Sequence, residues 1–240
     1  MEPATDAAPA AQALSVRERT AAERFAEAAR AAGVGRIVYL GGLVPREQRL
    51  SPHLGSRLAV ERILLDALPG STALRASIVI GAGSRSFRFM VRLVERMPLV
   101  ALPGWRDHRT QPIDERDVIE LLARAATVEA VAGRSLDVAG PDVVSYGELI
   151  ERIRDHLLLR RPLLRLGRTP APAAVASRVA AAIAGERHEL VGPLMAGLGA
   201  DLLPRDGAAA ELLGMRLHSL DAAIEHALGE WEALEPLAAR

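Results

Sequence analysis

Two polar residues, His53 and Arg57, lie four positions apart in the stretch LSPHLGSRLAVERIL, which runs from residue 50 to residue 64. Ser51 and Pro52 near its start are typical of the first positions of a helix. Residues at positions i and i+4 share one face of a helix. A histidine can transfer protons near neutral pH, and an arginine can hold a carboxylate or phosphate. The pair is a candidate catalytic site, and a solvated helix face with no chemical role has the same pattern.

A second group of polar side chains lies in the segment WRDHRTQPID, at 105–114, just before a predicted helix. Trp105, His108 and Arg109 combine an aromatic ring, a titratable imidazole and a fixed positive charge, and such groups can hold a flat polar ligand. A tryptophan beside a loop can equally anchor that loop by packing. Both interpretations of Trp105 remain open at this point.

The composition excludes several chemistries. The 240-residue chain contains no cysteine, lysine or asparagine, so its 30 basic residues are all arginines. Disulfides, thiolate nucleophiles and Schiff-base lysines are therefore excluded. The six histidines are scattered along the chain, and no metal site is predicted.

Charge and hydropathy favour a small-molecule ligand or a protein partner. The 30 basic residues balance 30 acidic ones, so no net field attracts nucleic acid or anionic lipid. No run of about 18 uncharged apolar residues occurs, and the amino terminus lacks the pattern of a secretory signal. We therefore predict a cytoplasmic protein with no nucleic-acid or membrane partner.

Helical and strand patterns alternate as far as residue 160. A capping box at Ser15 begins a helix that ends near Gly33, and RIVYL at 36–40 has the pattern of a buried strand. This alternation predicts an α/β fold with a parallel sheet. The later predicted elements are a helix at 52–68, a strand at 72–81, helices beginning near Phe87, Asp114 and Ser145, and a strand at 133–140.

The ends of the chain have a different character. Residues 1–13 are rich in alanine and proline and are predicted to form a flexible tail. Prolines punctuate the chain after residue 160, and residues 160–240 are predicted to form a helical carboxy-terminal portion beside the α/β part. The helical patterns there cover 173–184, 186–198, 207–213 and 219–230.

Five segments, in this order, resemble the later part of the atypical short-chain dehydrogenase/reductases. The similarity runs from about residue 15 to residue 229, and more specifically it is to the NmrA-like and NAD(P)-dependent epimerase-like branch. The resemblance implies an NAD(P)-binding Rossmann sheet, with a substrate held by carboxy-terminal segments. The five segments are RIVYLGGLVP, SPHLGSRLAVERIL, TALRASIVIGAGSRSF, QPIDERDVIELL and GRSLDVAGPDVVSYGELIERI.

The chain departs from this family at its start. The family opens with a strand, a G-x-x-G-x-x-G turn and a helix, and this unit and two further strand-helix pairs are not in the sequence. They correspond to roughly 100 residues. We therefore expect residues 14–159 to form an incomplete Rossmann-like domain, with the strands of the amino-terminal part absent. Because the missing turn holds the pyrophosphate, NAD(P) binding is expected to be weak or lost.

The resemblance also assigns roles to individual residues. The helix at 52–68 corresponds to one that carries a Tyr-x-x-x-Lys pair in active members, and His53 and Arg57 stand at those positions. Helix-dipole and arginine charges favour a neutral imidazole at His53, which makes it a poor proton donor. The remaining assignments are Gly41 or Gly42 in place of an assisting serine, Ala76, Ser77 and Ile78 beside the nicotinamide, and Trp105, His108 and Arg109 beside the substrate.

Two further features remain open. The turn GAGSRSF at 81–87 follows a strand and precedes a helix, so it either binds a phosphate or only reverses the chain. Arg75 lies within a buried strand and needs an acidic partner, for which Asp114 and Asp117 are predicted.

Three functions fit the sequence. The first is a weak or inactive NAD(P)-binding family member with a degenerate catalytic pair. The second is an active NAD(P)H-dependent reductase or isomerase acting on a small apolar substrate, with a mis-assigned start. The third is a non-enzymatic sensor or scaffold whose sheet edge pairs with a partner. Homo-oligomer formation is also expected to be possible.

Overall fold

The structure is a computed structural model that describes residues 7–45, 52–97, 100–102, 104–165 and 199–235. Within these ranges, the side chains at 7–14, 52–53, 100–102 and 163–165 lie outside the description. The described residues form an α/β fold with parallel strand pairs and several helices, which confirms the predicted fold class.

The elements follow one another as the sequence patterns indicate. The helices are α1 (Ala7–Ala31), α2 (Pro52–Ala67), α3 (Arg85–Arg96), α4 (Glu115–Ala125), α5 (Tyr146–His156), α6 (Ala208–Leu212) and α7 (Leu220–Leu234). The strands are β1 (Val38–Gly42), β2 (Thr72–Ala76), β3 (Val79–Ile80), β4 (Val100–Leu102), β5 (Arg109–Thr110), β6 (Ile113–Asp114), β7 (Ser135–Val138), β8 (Val144–Ser145) and β9 (Leu163–Arg165). Short 3-10 turns lie at Gly104–Asp107 and Glu129–Val131.

The chain divides into two compact units, and neither unit is a continuous segment. Unit 1 comprises Met1–Ala76, Ile119–Val138 and Arg205–Arg216. Unit 2 comprises Ser77–Val118, Ala139–Pro204 and Leu217–Arg240. The predicted boundary at residue 160 stays a prediction.

Unit 1 contains a sheet with the strand order β1-β2-β7, and both strand pairs are parallel. In its register, Gly41 lies opposite Arg75, and Arg75 lies opposite Asp137. Residues that are paired across parallel strands point to the same face of a sheet. These three positions therefore form one row across the sheet near the carboxyl ends of its strands.

Helix α1 packs through small residues. Ala22, Ala26 and Ala29 are buried together with Ile37 and Leu64, and they form one apolar cluster of unit 1. The helix begins at Ala7, so the start predicted at the Ser15 capping box is wrong. Alanine is the strongest helix former, and Pro9 lies in the first turn, where proline is tolerated. Residues 7–13, which the composition indicated as a flexible tail, are thus helical.

The core of unit 2 lies between α3, α5 and α7. Its largest fully buried side chains include Phe87, Leu149, Ile153, Ile224 and Trp231. The predicted Ser145 cap is confirmed, because the Ser145 hydroxyl accepts the Glu148 N–H at 3.1 Å. The strands of this unit form the pairs β3-β6, β4-β9 and β5-β8.

The segment predicted as one strand at 72–81 is two strands. The pairing of β2 with β7 ends at Ala76, and β3 pairs with β6 instead. The Ile78 carbonyl accepts the Ile113 N–H at 2.9 Å. An unbroken run of apolar β-branched residues does not reveal this change of partner, since both strands are buried. The predictions at 207–213 and 219–230 are confirmed by α6 and α7, and those at 173–184 and 186–198 lie outside the described residues.

Leu158 ends α5 in a conformation that favours glycine. Its φ is 56°, and its side chain is exposed. The N–H groups of Leu158 and Leu159 close the helix on the carbonyls of Asp155 and Arg154. We expect Leu158→Gly to raise the free energy of unfolding by about 1 kcal/mol in urea denaturation, because the left-handed conformation costs a residue with a Cβ about that much. Leu158→Ala keeps the Cβ and should give no gain, and equal effects of the two changes would contradict the explanation.

Candidate functional site

The proposed catalytic pair lies at the start of α2. His53 is in the first turn of the helix, and its side chain lies outside the description. Arg57 is exposed, and its backbone carbonyl accepts the hydroxyl of Tyr39 at 3.4 Å. Burial raises the pKa of Tyr39 above its ordinary range, while the charge of Arg57 opposes this shift. The exposed guanidinium can hold an anion, and it cannot release a proton at physiological pH.

The end of β1 carries glycine where the resemblance expects a serine. A Cβ on Gly41 would lie 3.2 Å from the Tyr39 ring and 3.7 Å from a carboxylate oxygen of Glu61. A Cβ on Gly42 would lie 3.7 Å from Leu54. The space over both glycines is thus bounded by side chains of the same unit.

Glu61, which the sequence analysis missed, is a buried carboxylate at the centre of unit 1. Its two oxygens accept Arg75 Nε at 3.0 Å and Arg75 Nη2 at 2.6 Å, and Ser135 Oγ donates to it at 2.6 Å. The hydrogen bond to Glu61, opposed by burial, raises the pKa of Arg75. The signal in the sequence is the position of Glu61, three residues before the buried Leu64, on the side of α2 that faces the sheet.

The acidic partners predicted for Arg75 are wrong. Asp114 forms hydrogen bonds with the Arg116 guanidinium and accepts the Arg116 N–H at the start of α4. The Asp117 carboxylate accepts a hydrogen bond from the backbone N–H of His218 and forms a second one with Nδ1 of the same residue. Burial opposes ionisation of Asp114, yet the Arg116 hydrogen bonds hold its pKa below the usual range. The predicted role of Asp114 at the start of α4 is confirmed.

The residues after β2 lead into unit 2. Ala76 ends the strand, and both Ala76 and Ser77 are buried. Ser77 Oγ lies 3.5 Å from Thr110 Oγ1, and Ile78 packs against the core of unit 2. These side chains are small or apolar, and none of them titrates.

The GAGSRSF turn does not fit a phosphate. Ser84 caps α3 by accepting the Phe87 N–H, and the Glu115 carboxylate lies against the two glycines of the turn. A Cβ on Gly81 would lie 1.7 Å from Glu115 Oε2, and one on Gly83 would lie 3.3 Å from Glu115 Oε1. A carboxylate repels an incoming anion, so Glu115 disfavours a phosphate beside these two glycines. The turn reverses the chain.

The segment that begins at Trp105 is held from two sides. The Trp105 ring packs edge-on against Tyr146, with 6.2 Å between ring centres, and it also contacts the unit 2 core. The Asp201 carboxylate accepts hydrogen bonds from the Arg109 backbone N–H at 2.7 Å and from Arg109 Nε at 2.9 Å. One oxygen of this carboxylate lies 3.7 Å from His108 Nδ1. The Arg109 hydrogen bonds lower the pKa of Asp201. His108 and Arg109 thus both lie against the Asp201 carboxylate, a residue that the sequence analysis missed.

Tyr146 is a buried phenol beside this segment. Burial raises the pKa of Tyr146 from 10.0 to about 12, and a hydrogen bond with Thr110 opposes part of this shift. In a Tyr39→Phe variant, which keeps one of the two tyrosines, we expect ultraviolet titration to find half-ionisation near pH 12. An unfolded chain ionises first, so the stability that this group contributes is present below pH 10 and is lost between pH 10 and pH 12. A midpoint at pH 10 in the folded protein would contradict the burial.

The predicted site residues fall into both units. Gly41, Gly42, Arg57 and Ala76 belong to unit 1, and Ser77, Ile78, Trp105, His108 and Arg109 belong to unit 2. Among the described residues, no three His, Asp or Glu side chains converge as metal ligands would. Within the same ranges, no helix combines the length and the apolar character needed to span a membrane.

Comparison with known proteins decides the fold. The chain resembles MoeE5 in complex with UDP-glucose and NAD, with a TM-score of 0.63 and 20% identity, over 90% of this chain and 70% of that one. It also resembles TunA, an NAD-dependent NDP-hexosamine 5,6-dehydratase, with a TM-score of 0.64 and 14% identity over 93% and 71% of the two chains. A third similar structure is a nucleoside-diphosphate-sugar epimerase from Staphylococcus aureus, with a TM-score of 0.68 and 14% identity, over 88% of this chain and 72% of that one. The chain has the fold of the atypical short-chain dehydrogenase/reductases.

One curated relative supports the same assignment. Residues of this chain are 27% identical over 126 positions to subunit 9 of the NADH dehydrogenase [ubiquinone] 1 alpha subcomplex, a mitochondrial protein of Arabidopsis thaliana. The match spans 52% of this chain and about a third (31%) of that relative. No protein-family model matches the chain. The similarities to solved structures confirm the Rossmann-like α/β fold that the resemblance of the five segments implied.

Proposed function

We propose that this chain is an NAD(P)-binding protein of the NmrA-like or epimerase-like branch, with a degenerate catalytic pair and weak or no activity as it stands. The observation that carries the proposal is the similarity of nearly the whole chain to folds whose structures hold NAD. In this reading, His53 and Arg57 occupy the positions of the family's proton donor and ribose-binding lysine. Gly41 or Gly42 occupies the position of the assisting serine.

The nicotinamide end of the cofactor would meet this chain after β2. Ala76, Ser77 and Ile78 would lie beside the ring, and Arg57 would hold the ribose or a carboxylate. The pyrophosphate would need a glycine turn, and the GAGSRSF turn is filled by Glu115. NAD(P) supplies or accepts a hydride when it is bound. Arg57 retains its proton, so a productive reaction would require His53 or solvent to supply one.

The substrate is expected to be a small molecule held by unit 2. Trp105, His108 and Arg109 would border it, as the resemblance implies. Because Trp105 already packs on Tyr146 and Arg109 is paired with Asp201, we expect His108 and the exposed part of the Arg109 guanidinium to make the polar contacts.

Calorimetric titration with NADH and NADPH tests this function. It should be done on the 240-residue chain and on a chain extended through any upstream reading frame that encodes a glycine-rich turn. Binding only by the extended chain would support the proposal. Micromolar binding by the 240-residue chain would overturn the weak-binding part and favour an active reductase or isomerase. If neither chain binds, the cofactor proposal fails.

A second candidate function is a non-enzymatic subunit or scaffold. The curated relative is named as a subunit of a larger assembly. In the part of the sheet that the structure describes, β1 is paired only with β2, and its residues are less buried than those of β2. An edge strand of this kind is a template for pairing with another chain. Light scattering that finds a sharp, monodisperse monomer at every concentration would count against this candidate.

A further inference from the structure

Glu61 joins α2 to two strands of the sheet of unit 1, and Tyr39 of β1 adds a longer hydrogen bond to the Arg57 carbonyl at 3.4 Å. Glu61 is 4% exposed, and its two oxygens accept three hydrogen bonds from two different strands, two from Arg75 on β2 and one from Ser135 on β7. A fork of two parallel N–H···O bonds fixes both the distance and the rotation of the groups it joins. The Glu61 carboxylate thus fixes the position of α2 both along the strand direction and across the sheet.

The contacts of α2 with α1 combine an apolar cluster with hydrogen bonds, from Ser56 to Glu18 and from Arg30 to the Ala67 carbonyl. The apolar cluster around α2 contains Ala22, Ala26 and Ala29 from α1, together with Leu64 of α2 itself. The apolar contacts are non-directional, whereas the forked Glu61–Arg75 pair joins α2 to the sheet in one defined geometry. Replacing a buried ion pair by apolar residues is often neutral for stability, so the value of such a pair lies in geometry.

We infer that Glu61 is a positioning residue, which, with Arg75 and Ser135, fixes the first turns of α2 relative to the end of β2. Glu61 lies one helical turn after Arg57 and two turns after His53, so it is rigidly connected to both. Arg75 directly precedes Ala76, the last residue of β2. This inference rests on the proposed function, since the proposed catalytic pair and the proposed nicotinamide contacts are the two elements that it holds in register.

The test compares the parent with a Glu61→Met/Arg75→Met double variant. The chain has no cysteine, so Arg62→Cys and Thr127→Cys, both at exposed positions in unit 1, introduce two unique sites for spin labels. Pulsed electron paramagnetic resonance then measures the distance distribution between α2 and the segment after α4. Thermal unfolding is measured on the same samples. Ser135→Ala serves as a mild variant, which removes one donor and leaves the ion pair intact.

The expected result is a double variant that unfolds within a few degrees of the parent but has a broader or shifted distance distribution. NADH affinity, in whichever chain length binds it, should fall on the order of tenfold. A distribution identical to that of the parent would overturn the inference. If no parent chain binds NADH, the proposed function fails, and the label distances alone still decide whether Glu61 positions α2.

Discussion

Glu61→Ala should lower the free energy of unfolding by about 3 kcal/mol, because the mostly buried Arg75 loses its hydrogen-bonded carboxylate and keeps the charge of Asp137, opposite it in the sheet, only as a longer-range partner. The Arg75 side chain is 14% exposed and that of Glu61 is 5% exposed, so water cannot replace the lost carboxylate in full. Ser135 also loses the acceptor of its 2.6 Å hydrogen bond. Urea unfolding followed by circular dichroism measures the change.

Glu120→Ala is the matched control in the same unit. Glu120 forms an exposed i,i+4 ion pair with Arg124, and its side chain is 50% exposed. Exposed pairs of this kind contribute about 0.5 kcal/mol or less. If Glu61→Ala costs no more than Glu120→Ala, then Arg75 has found another partner or water, and the explanation by an uncompensated buried charge is wrong.

Gly140→Ala should lower the free energy of unfolding by a similar amount, about 3 kcal/mol. A Cβ at this position would lie 2.2 Å from the backbone carbonyl oxygen of Pro112. The same carbonyl accepts the Gly140 N–H at 3.0 Å, so the two backbones cannot separate without losing that bond. The Gly140 carbonyl is held in turn by Gln111 Nε2 at 2.6 Å. No side-chain rotation can relieve the clash, because the atoms that meet belong to the main chain.

Gly229→Ala, in the same unit as Gly140, is expected to have the opposite effect on stability. Gly229 lies inside α7, and a Cβ there would meet nothing within 4 Å. Glycine is about 1 kcal/mol less favourable than alanine inside a helix, so this variant should be more stable than the parent. A destabilisation of both variants by equal amounts would show that the contact with Pro112 is not the cause.

The local elements were predictable because their signals are local. Pro52 at the start of α2, Ser145 before α5 and the apolar period of α3 each act within one or two helical turns. The strands β1, β2 and β7 were recognisable from apolar runs too short for a helix, although β1 is half-buried where a fully buried strand was predicted. Where the signal was composition alone, as for residues 7–13, alanine content allowed either a tail or a helix, and the helix was missed.

The partners of charged groups were not predictable, because they depend on how distant segments are placed. Arg75 pairs with Glu61 on the preceding helix, while the two aspartates expected to bind it are taken by Arg116 and His218. Asp201 reaches Arg109 from 92 residues away. The break between β2 and β3 was not predictable for the same reason, since β3 pairs with β6, a strand that is distant in the sequence. Whether His53 and Arg57 bind a ligand stays a prediction.

The division of the chain into two discontinuous units has a consequence for its synthesis and dissection. Unit 1 contains Arg205–Arg216 as well as residues from the start of the sequence, so its parts lie far apart along the chain. Domains that are continuous in sequence can fold one after another as they emerge, whereas each unit here is built from three separate segments. For the same reason, no single cut with a protease or in the gene releases either unit intact. Truncated versions of the protein would therefore expose unfinished cores to chaperones and proteases.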